Sequence, residues 1–338
     1  MTAVAAAEHM VYARAAASRE RQDGVRFEFV KCHGSGNDFP LIDARALDLA
    51  DDQWPAVARA LADRRGVVGG DGLLLLARGD DTHAFAMVMF NADGSQAETC
   101  LNGLRCVARL GFEALGLAAA TVKLKTSSAR VERDAQIAPG VYTVRETAGP
   151  ATLDVAAWPL HGTAPTLVDA VIPPLATDRR FTAVAMPNPH LVAFVESIDE
   201  AELVRIGRLC EAAPAWLPNR ANVSFVEVRG ADLFVRTFER GVGLTDSCGS
   251  AMAASSFAAC LTGRLGYDAP ITVFNKGGLV RARVARDAMV SLSGNATWEW
   301  HGSVDVDLAA ERAADLVVTR RADDEVAAWS NLADAASR

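Results

Sequence analysis

Apolar and polar residues alternate in short runs along most of the chain. Stretches rich in β-branched and aromatic residues fall at 26–31, 72–77, 84–90, 121–125, 141–145, 190–195, 222–228, 232–238, 271–274, 279–284 and 288–292, and each predicts a strand. At about 52–64, 102–115, 198–212, 249–263 and 322–336 the apolar spacing changes to three and four residues, which predicts helices. Many strands, few helices and no βαβαβ alternation give an α+β fold.

The order of these elements repeats. Strands, a polar turn ending in Cys, a helix of small residues and further strands describe both 27–146 and 181–293. This is a weak internal duplication, visible as pattern more than identity. The stretch "TAGPATLDVAAWPL" (147–160) reads as the crossover between the halves. The expected division is a first domain over 26–150, a second over 151–293 and a polar, helix-like appendage over 305–338. Residues 1–25 are Ala-rich but carry Glu8, Arg14, Arg19, Glu20 and Arg21. With no continuous apolar core before a cleavage site, they read as a flexible extension and not as a signal peptide.

Composition narrows the class. A length of 338 residues favours two domains, and 50% hydrophobic with 22% charged residues suits a folded enzyme better than a disordered chain. A net charge of −8 argues against a nucleic-acid or anionic-membrane surface. The longest apolar runs, such as "GLLLLA" (72–77), are strand-length, so no bilayer-spanning segment is expected. The six cysteines (32, 100, 106, 210, 248, 260) form no C-x-x-C pair and no framework spacing. That disfavours a disulfide scaffold or a zinc site and favours a reducing, cytoplasmic home.

Two of these cysteines stand apart. In "NADGSQAETCLNGLRCVAR" (91–109) and "LTDSCGSAMAASSFAAC" (244–260), Cys100 and Cys248 each close a polar turn just before a helical pattern. The first N–H groups of a helix lack partners and carry the positive end of its dipole, so they favour a thiolate and cradle a carboxylate. The expectation is a thiol pKa lowered towards neutrality at both positions. Cys32, Cys106, Cys210 and Cys260 lie in or beside apolar runs and read as small core fillers.

Two thiols above two anion cradles suit a two-base reaction at one carbon. One thiolate removes a proton from one face while the other thiol donates to the opposite face. Inversion at an amino acid's α-carbon needs that symmetry. The chain has only four lysines (31, 123, 125, 276), none in a recognisable cofactor-binding context, so neither a Schiff-base cofactor nor a metal is expected.

The chain resembles the diaminopimelate epimerase family over about 26–303. The resemblance is carried in order by "KCHGSGNDF" (31–39), "DRRGVVGGDGLLLL" (63–76), "FNADGSQAETCLNGLRC" (90–106), "NPHLV" (188–192), "LPNRANVSFVEV" (217–228), "ERGVGLTDSCGS" (239–250) and "GNATWEW" (294–300). It implies Cys100 and Cys248 as the catalytic thiols, with His190 and Glu239 as polar supports. It implies substrate-binding asparagines at Asn37, Asn91, Asn188 and Asn222, and Arg240 on a distal carboxylate. The turns Asn102–Gly103 and Gly249–Ser250 would bind the reacting α-carboxylate. The implied fold is two similar α+β domains, each of mixed sheet around a central helix, with the site in the cleft and a strand at about 294–304 returning to the first domain. A homodimer and a cytoplasmic place in lysine and peptidoglycan-precursor synthesis are implied as well. Taken alone, His190 would be a structural histidine and the asparagines turn formers.

The chain departs from the family pattern at three positions. Leu101 and Ala251 stand where glycines are usual after each Cys, and Pro187 stands where Gly usually precedes Asn188. A left-handed Gly at 101 could not be copied cheaply by Leu, and the Leu side chain adds bulk beside the reactive centre. The implied activity is epimerisation of LL- to meso-diaminopimelate. The alternatives are racemisation of another amino acid, such as histidine, by the same thiols, a catalytically lapsed binding protein, and a dithiol redox protein.

Overall fold

The duplication seen in the pattern is repeated in the pairing of the strands. The structure, a computed structural model, describes residues 24–97, 100–162, 164–186 and 188–336. The N-terminal extension up to residue 23, and Pro187, lie outside the described residues. The first half runs β1 (Gly24–Gly34), β2 (Asn37–Asp43), α1 (Trp54–Ala62), β3 (Gly72–Asp80), β4 (His83–Asn91), α2 (Leu101–Leu115), β5 (Ala119–Lys123), β6 (Ser128–Arg133) and β7 (Thr143–Ala148). The second runs β8 (Ala170–Val171), β9 (Arg180–Ala185), β10 (Pro189–Phe194), α3 (Glu200–Glu211), β11 (Asn222–Arg229), β12 (Asp232–Glu239), β13 (Gly243–Thr245), α4 (Gly249–Leu261), β14 (Ile271–Asn275), β15 (Gly278–Val284) and β16 (Val290–Asn295). The chain ends with β17 (Thr297–Asp307), β18 (Arg312–Arg321) and α5 (Asp323–Ala336).

From β1 to β7 successive pairs are antiparallel, parallel, antiparallel, parallel, antiparallel and antiparallel. From β9 to β16, leaving out the short β13, the series is the same. Both parallel joints in each half are bridged by a helix, as a crossover requires. Within the first half α2 touches every strand from β1 to β7, and α4 is likewise enclosed by β9–β12 and β14–β16. The fold is therefore α+β, with mixed sheet wrapped on two equivalent helices.

That enclosure explains the helix compositions. Every residue of α4 from Gly249 to Cys260 is buried, so its sequence is small and apolar all round. The same holds for much of α2, except that it carries two buried arginines, Arg105 and Arg109. The Arg109 guanidinium lies between the rings of Tyr142 and Trp298, 4.3 Å from each. The outer helices cover the backs of the sheets: Val57 and Leu61 of α1 pack with Phe27 and Val304, and Leu203 and Ile206 of α3 with Phe181 and Phe225.

The halves share hydrogen-bonded edges. β16 pairs antiparallel with β7, and β17 returns to lie antiparallel to β1, from Gly24 opposite Asp307 to His33 opposite Thr297. Residues beyond 305 are not the helix-like appendage that their polarity predicts. Arg312–Arg321 is a strand paired with β17 on one edge, and only the last segment is helical. Its two faces are mostly exposed, so it lacks the apolar alternation that marks half-buried strands. The tail is also docked. Trp329 is buried beside the His33 ring and against Gly278, while Glu325 grips Arg109 through both carboxylate oxygens at 2.5 and 2.8 Å.

Candidate active site

Cys100 is the N-cap of α2 and Cys248 the N-cap of α4, both in extended backbone. They occupy equivalent places in the two halves, and both line one cleft of about 570 Å³. The cleft also takes in Asn37, Asn91, Asn102, Asn188, Glu239, Arg240, Gly249 and Ser250. His190, Asn222 and Gly103 stand behind it.

Around the first thiol, the Gly103 N–H donates to the Cys100 sulfur at 3.4 Å, as an N-cap side chain receives the N3 amide. The expected place of Gly103 is the carboxylate cradle, but its N–H is engaged by the cap. The thiol in turn points to Asn37 Oδ1 at 3.7 Å, and the Asn37 amide donates to Asp71. Asp71 also accepts from Arg64 at 2.6 Å. Around the second thiol, Cys248 Sγ lies 3.5 Å from Ser250 Oγ, with the Ala251 N–H and the Glu239 carboxyl also against it.

The arginine and the remaining asparagines form one edge of the site. The Arg240 N–H donates to Asn222 Oδ1 at 2.9 Å, and its Nη1 to the Asn219 carbonyl at 3.2 Å. Among the described residues Arg240 makes no ion pair with a carboxylate. Asn222 is fully buried, and among the described residues its Nδ2 has no partner. His190 Nε2 lies 3.0 Å from Asn188 Oδ1, so the imidazole orients Asn188 and does not itself reach the cleft. Asn91 donates to Ser95 Oγ at 2.9 Å.

The Asn102 side chain is turned away from the cleft. Its Oδ1 accepts from Arg105 at 2.9 Å and its Nδ2 donates to Ser247 Oγ and O at 3.3 and 3.4 Å. The side chain is thus spent within the protein, and only its backbone N–H remains for a ligand. Leu101 is helical, not left-handed, so the Gly-type strain expected there is absent. Its side chain packs against Gly249.

The thiols are not poised as expected. Burial pushes Cys100 up to about 12, with the Gly103 N–H pulling the other way. Burial likewise raises Cys248 well above its ordinary value, and the charge of Glu239 adds to this. Cys248 is buried and Cys100 half-buried, and two helix N-termini do not outweigh that loss of water. Burial also raises Glu239, against the Cys248 contact and the Arg240 charge. It lowers His190 to about 3, aided by Arg240, so that ring is neutral.

Sequence reasoning passed over Asp71, Ser247, Met89 and Val242, which line the same cleft. Asp71 lies inside a recognised motif but carries no local signal, since its partners come from β2 and the end of α1. Among the described residues, no three His, Cys, Asp or Glu side chains gather as metal ligands. None of the four lysines lines the cleft, and among the described residues no helix is long and apolar enough to cross a membrane.

Comparison with known proteins identifies the family. The family model described as diaminopimelate epimerase matches residues 29–152 and 182–299. The diaminopimelate epimerase of Clostridium acetobutylicum is 40% identical over 290 residues, covering 84% of this chain and 87% of its own. That of Enterococcus faecalis is 38% identical over 281 residues, covering 79% and 86%. Among solved structures, a hydroxyproline epimerase from Agrobacterium vitis shares the fold at a TM-score of 0.60 and 13% identity, over 84% of this chain and 92% of that one. A phenazine biosynthesis protein from Bacillus anthracis shares it at 0.61 and 12%, over 83% and 99%. With capped thiols in equivalent places, the ordered motifs and these matches, the chain belongs to the diaminopimelate epimerase family and is an isomerase of that type.

Proposed function

We propose that the protein epimerises LL-2,6-diaminopimelate to the meso form with Cys100 and Cys248 as its acid–base pair and without a cofactor. The observation that carries this reading is the placement of two N-cap thiols, one from each half, on a single cleft that also holds an arginine with no carboxylate partner among the described residues. The two halves act as domains closing on the substrate between them.

The reacting α-carboxylate sits over the first N–H groups of α2 and α4, where the dipoles of both helices favour negative charge. This eases loss of the α-proton by stabilising the charge that builds on the carboxylate. Glu239 lies against Cys248 and is the carboxyl group placed to receive the thiol proton as the substrate enters. One thiolate then removes the α-proton, and the other thiol delivers its proton to the opposite face. Each turnover leaves the two sulfurs with their protonation exchanged. Arg240 holds the distal carboxylate in bidentate fashion, and Asn222, which accepts from the Arg240 N–H at 2.9 Å, steadies it from behind the cleft. Six free cysteines fit a reducing compartment, and a cytoplasmic homodimer is part of the proposal.

Incubating the protein with a panel of amino acids in D2O and following α-deuterium by NMR tests the substrate. A site that must fill Arg240 rejects analogues without a distal head, so lysine, ornithine and alanine should exchange at least about 100-fold more slowly than diaminopimelate. A second reading, racemisation of another amino acid such as histidine, is favoured by Leu101, which fills space beside Gly249. Faster exchange on histidine than on diaminopimelate would establish it.

A further inference from the structure

Behind the two thiols lies a buried polar chain that joins the halves. The side chains of Arg105 and Glu146 are both fully buried, and Nη1 donates to Oε1 at 2.7 Å. The other guanidinium donors reach Ser35 Oγ at 3.0 Å, Asn102 Oδ1 at 2.9 Å and the Asn295 carbonyl at 3.0 Å. The guanidinium fits here because Gly34 and Gly294 leave room. A Cβ on Gly294 would stand 2.7 Å from Nε, and one on Gly34 3.1 Å from Nη2.

Arginine dictates how its neighbour is turned. A guanidinium only donates, so Asn102 must offer it the carbonyl oxygen and direct its Nδ2 the other way. Nδ2 then meets both oxygens of Ser247, the residue just before the Cys248 cap. Ser247 Oγ is held from a second side by Asn275 Nδ2 at 3.1 Å. Asn102 is itself two residues from Cys100, so this chain spans the two caps.

We infer that Arg105 is a positioning residue, which through Asn102 and Ser247 holds the Cys248 cap in register with the Cys100 cap. The inference rests on the two-thiol reading above. Inversion by two bases needs both sulfurs in line with one carbon, and a misplacement of about 1 Å can cost about 100-fold in rate. Exchange at a single face needs only one sulfur in place.

Two variants test it, each first shown to be folded by circular dichroism. Arg105→Lys cannot reach Glu146 and Asn102 together. Arg105→Met with Glu146→Leu removes the pair without stranding a buried charge. If neither folds, Asn102→Leu, which keeps the shape but cannot bridge, takes the same measurements. On substrate-free protein, dibromobimane reports the distance between sulfurs by cross-linking Cys100 to Cys248, with the product identified by peptide mass. Cross-linking should fall several-fold while single alkylation of each thiol persists. With diaminopimelate in D2O, kcat should fall by about 100-fold, KM should hold, and the ratio of α-exchange to inversion should rise. Parent-like cross-linking and a parent-like ratio in a folded variant would overturn the inference. If the parent fails to turn over diaminopimelate but the variants still lose the cross-link, the substrate reading falls and the inference stands.

Discussion

Leu101 of the first half and Gly249 of the second are in contact across the mouths of their helices, and a Cβ placed on Gly249 would lie 2.7 Å from that of Leu101. Both backbones must yield to any side chain at 249. Gly249→Ala should therefore cost about 1–3 kcal/mol of stability by overpacking, read by urea unfolding, and should reduce turnover. Adding Leu101→Gly makes the missing space and should restore most of both. If the double variant is as impaired as the sum of the singles, the two residues are not coupled.

The thiol assignment predicts a sharp division among the cysteines. Cys100→Ala and Cys248→Ala should each abolish inversion followed by chiral chromatography, because one base cannot serve both faces. Cys106→Ala and Cys260→Ala should keep activity and lose about 1 kcal/mol, as ordinary core changes do. Inversion at near the parent rate by the Cys100 variant would exclude the two-base mechanism.

Burial of the thiols sets a pH dependence. With Cys100 pushed up to about 12, its alkylation by iodoacetamide in the free protein should climb about tenfold per pH unit from pH 7 to 10 without levelling. A plateau near neutrality would reveal a thiolate already formed. Stability follows the same sign. Cys100 and Cys210 are held up to about 12 in the fold, against 9.0 ordinarily, so between these values the unfolded chain sheds protons that the folded one keeps. Stability should then be intact below about pH 9 and fall as the pH rises towards 12.

Much of the site was legible because capping is local. An N-cap is written in a few consecutive residues, so a polar turn, a Cys and a run of small residues located both helix mouths. Strands with sustained runs of β-branched and aromatic residues showed themselves, whereas β2, β6, β9 and β18 lie outside every predicted stretch, and β18, mostly exposed, has no apolar face to show. What stayed hidden depends on distant parts of the chain. The pressure of Leu101 on Gly249, the engagement of the Asn102 side chain by Arg105 and Ser247, and the place of Asp71 all arise from elements that meet only on folding. The direction of the thiol shift escapes the sequence for the same reason. A helix mouth can be read from sequence, but the depth at which it is buried cannot.

Arg240 has the clearest substrate test. Hydrogen bonds to a charged group are worth about 1.5–3 kcal/mol, so Arg240→Met should raise KM for diaminopimelate by roughly 10- to 100-fold. Alkylation of the thiols should be unaffected. An unchanged KM would move the distal carboxylate elsewhere.

The docked tail should matter to stability. Trp329 is 5% exposed and packs against Gly278 and His33. Trp329→Ala should cost about 3–5 kcal/mol in urea unfolding. A loss below about 1 kcal/mol would mean that α5 rests loosely on the body.

The pairing of β1 with β17 also bears on how the protein is made. β1 leaves the ribosome long before β17, so one of its edges finds its partner only when Thr297–Asp307 has been translated. At about 5–20 residues per second, that edge stands open for on the order of tens of seconds. Throughout this time its apolar residues Phe27 and Phe29 have no β17 to cover them, on an edge ready to pair with a neighbouring nascent chain. Chaperone dependence during synthesis, and aggregation of chains truncated before residue 297, follow from that one long-range ladder.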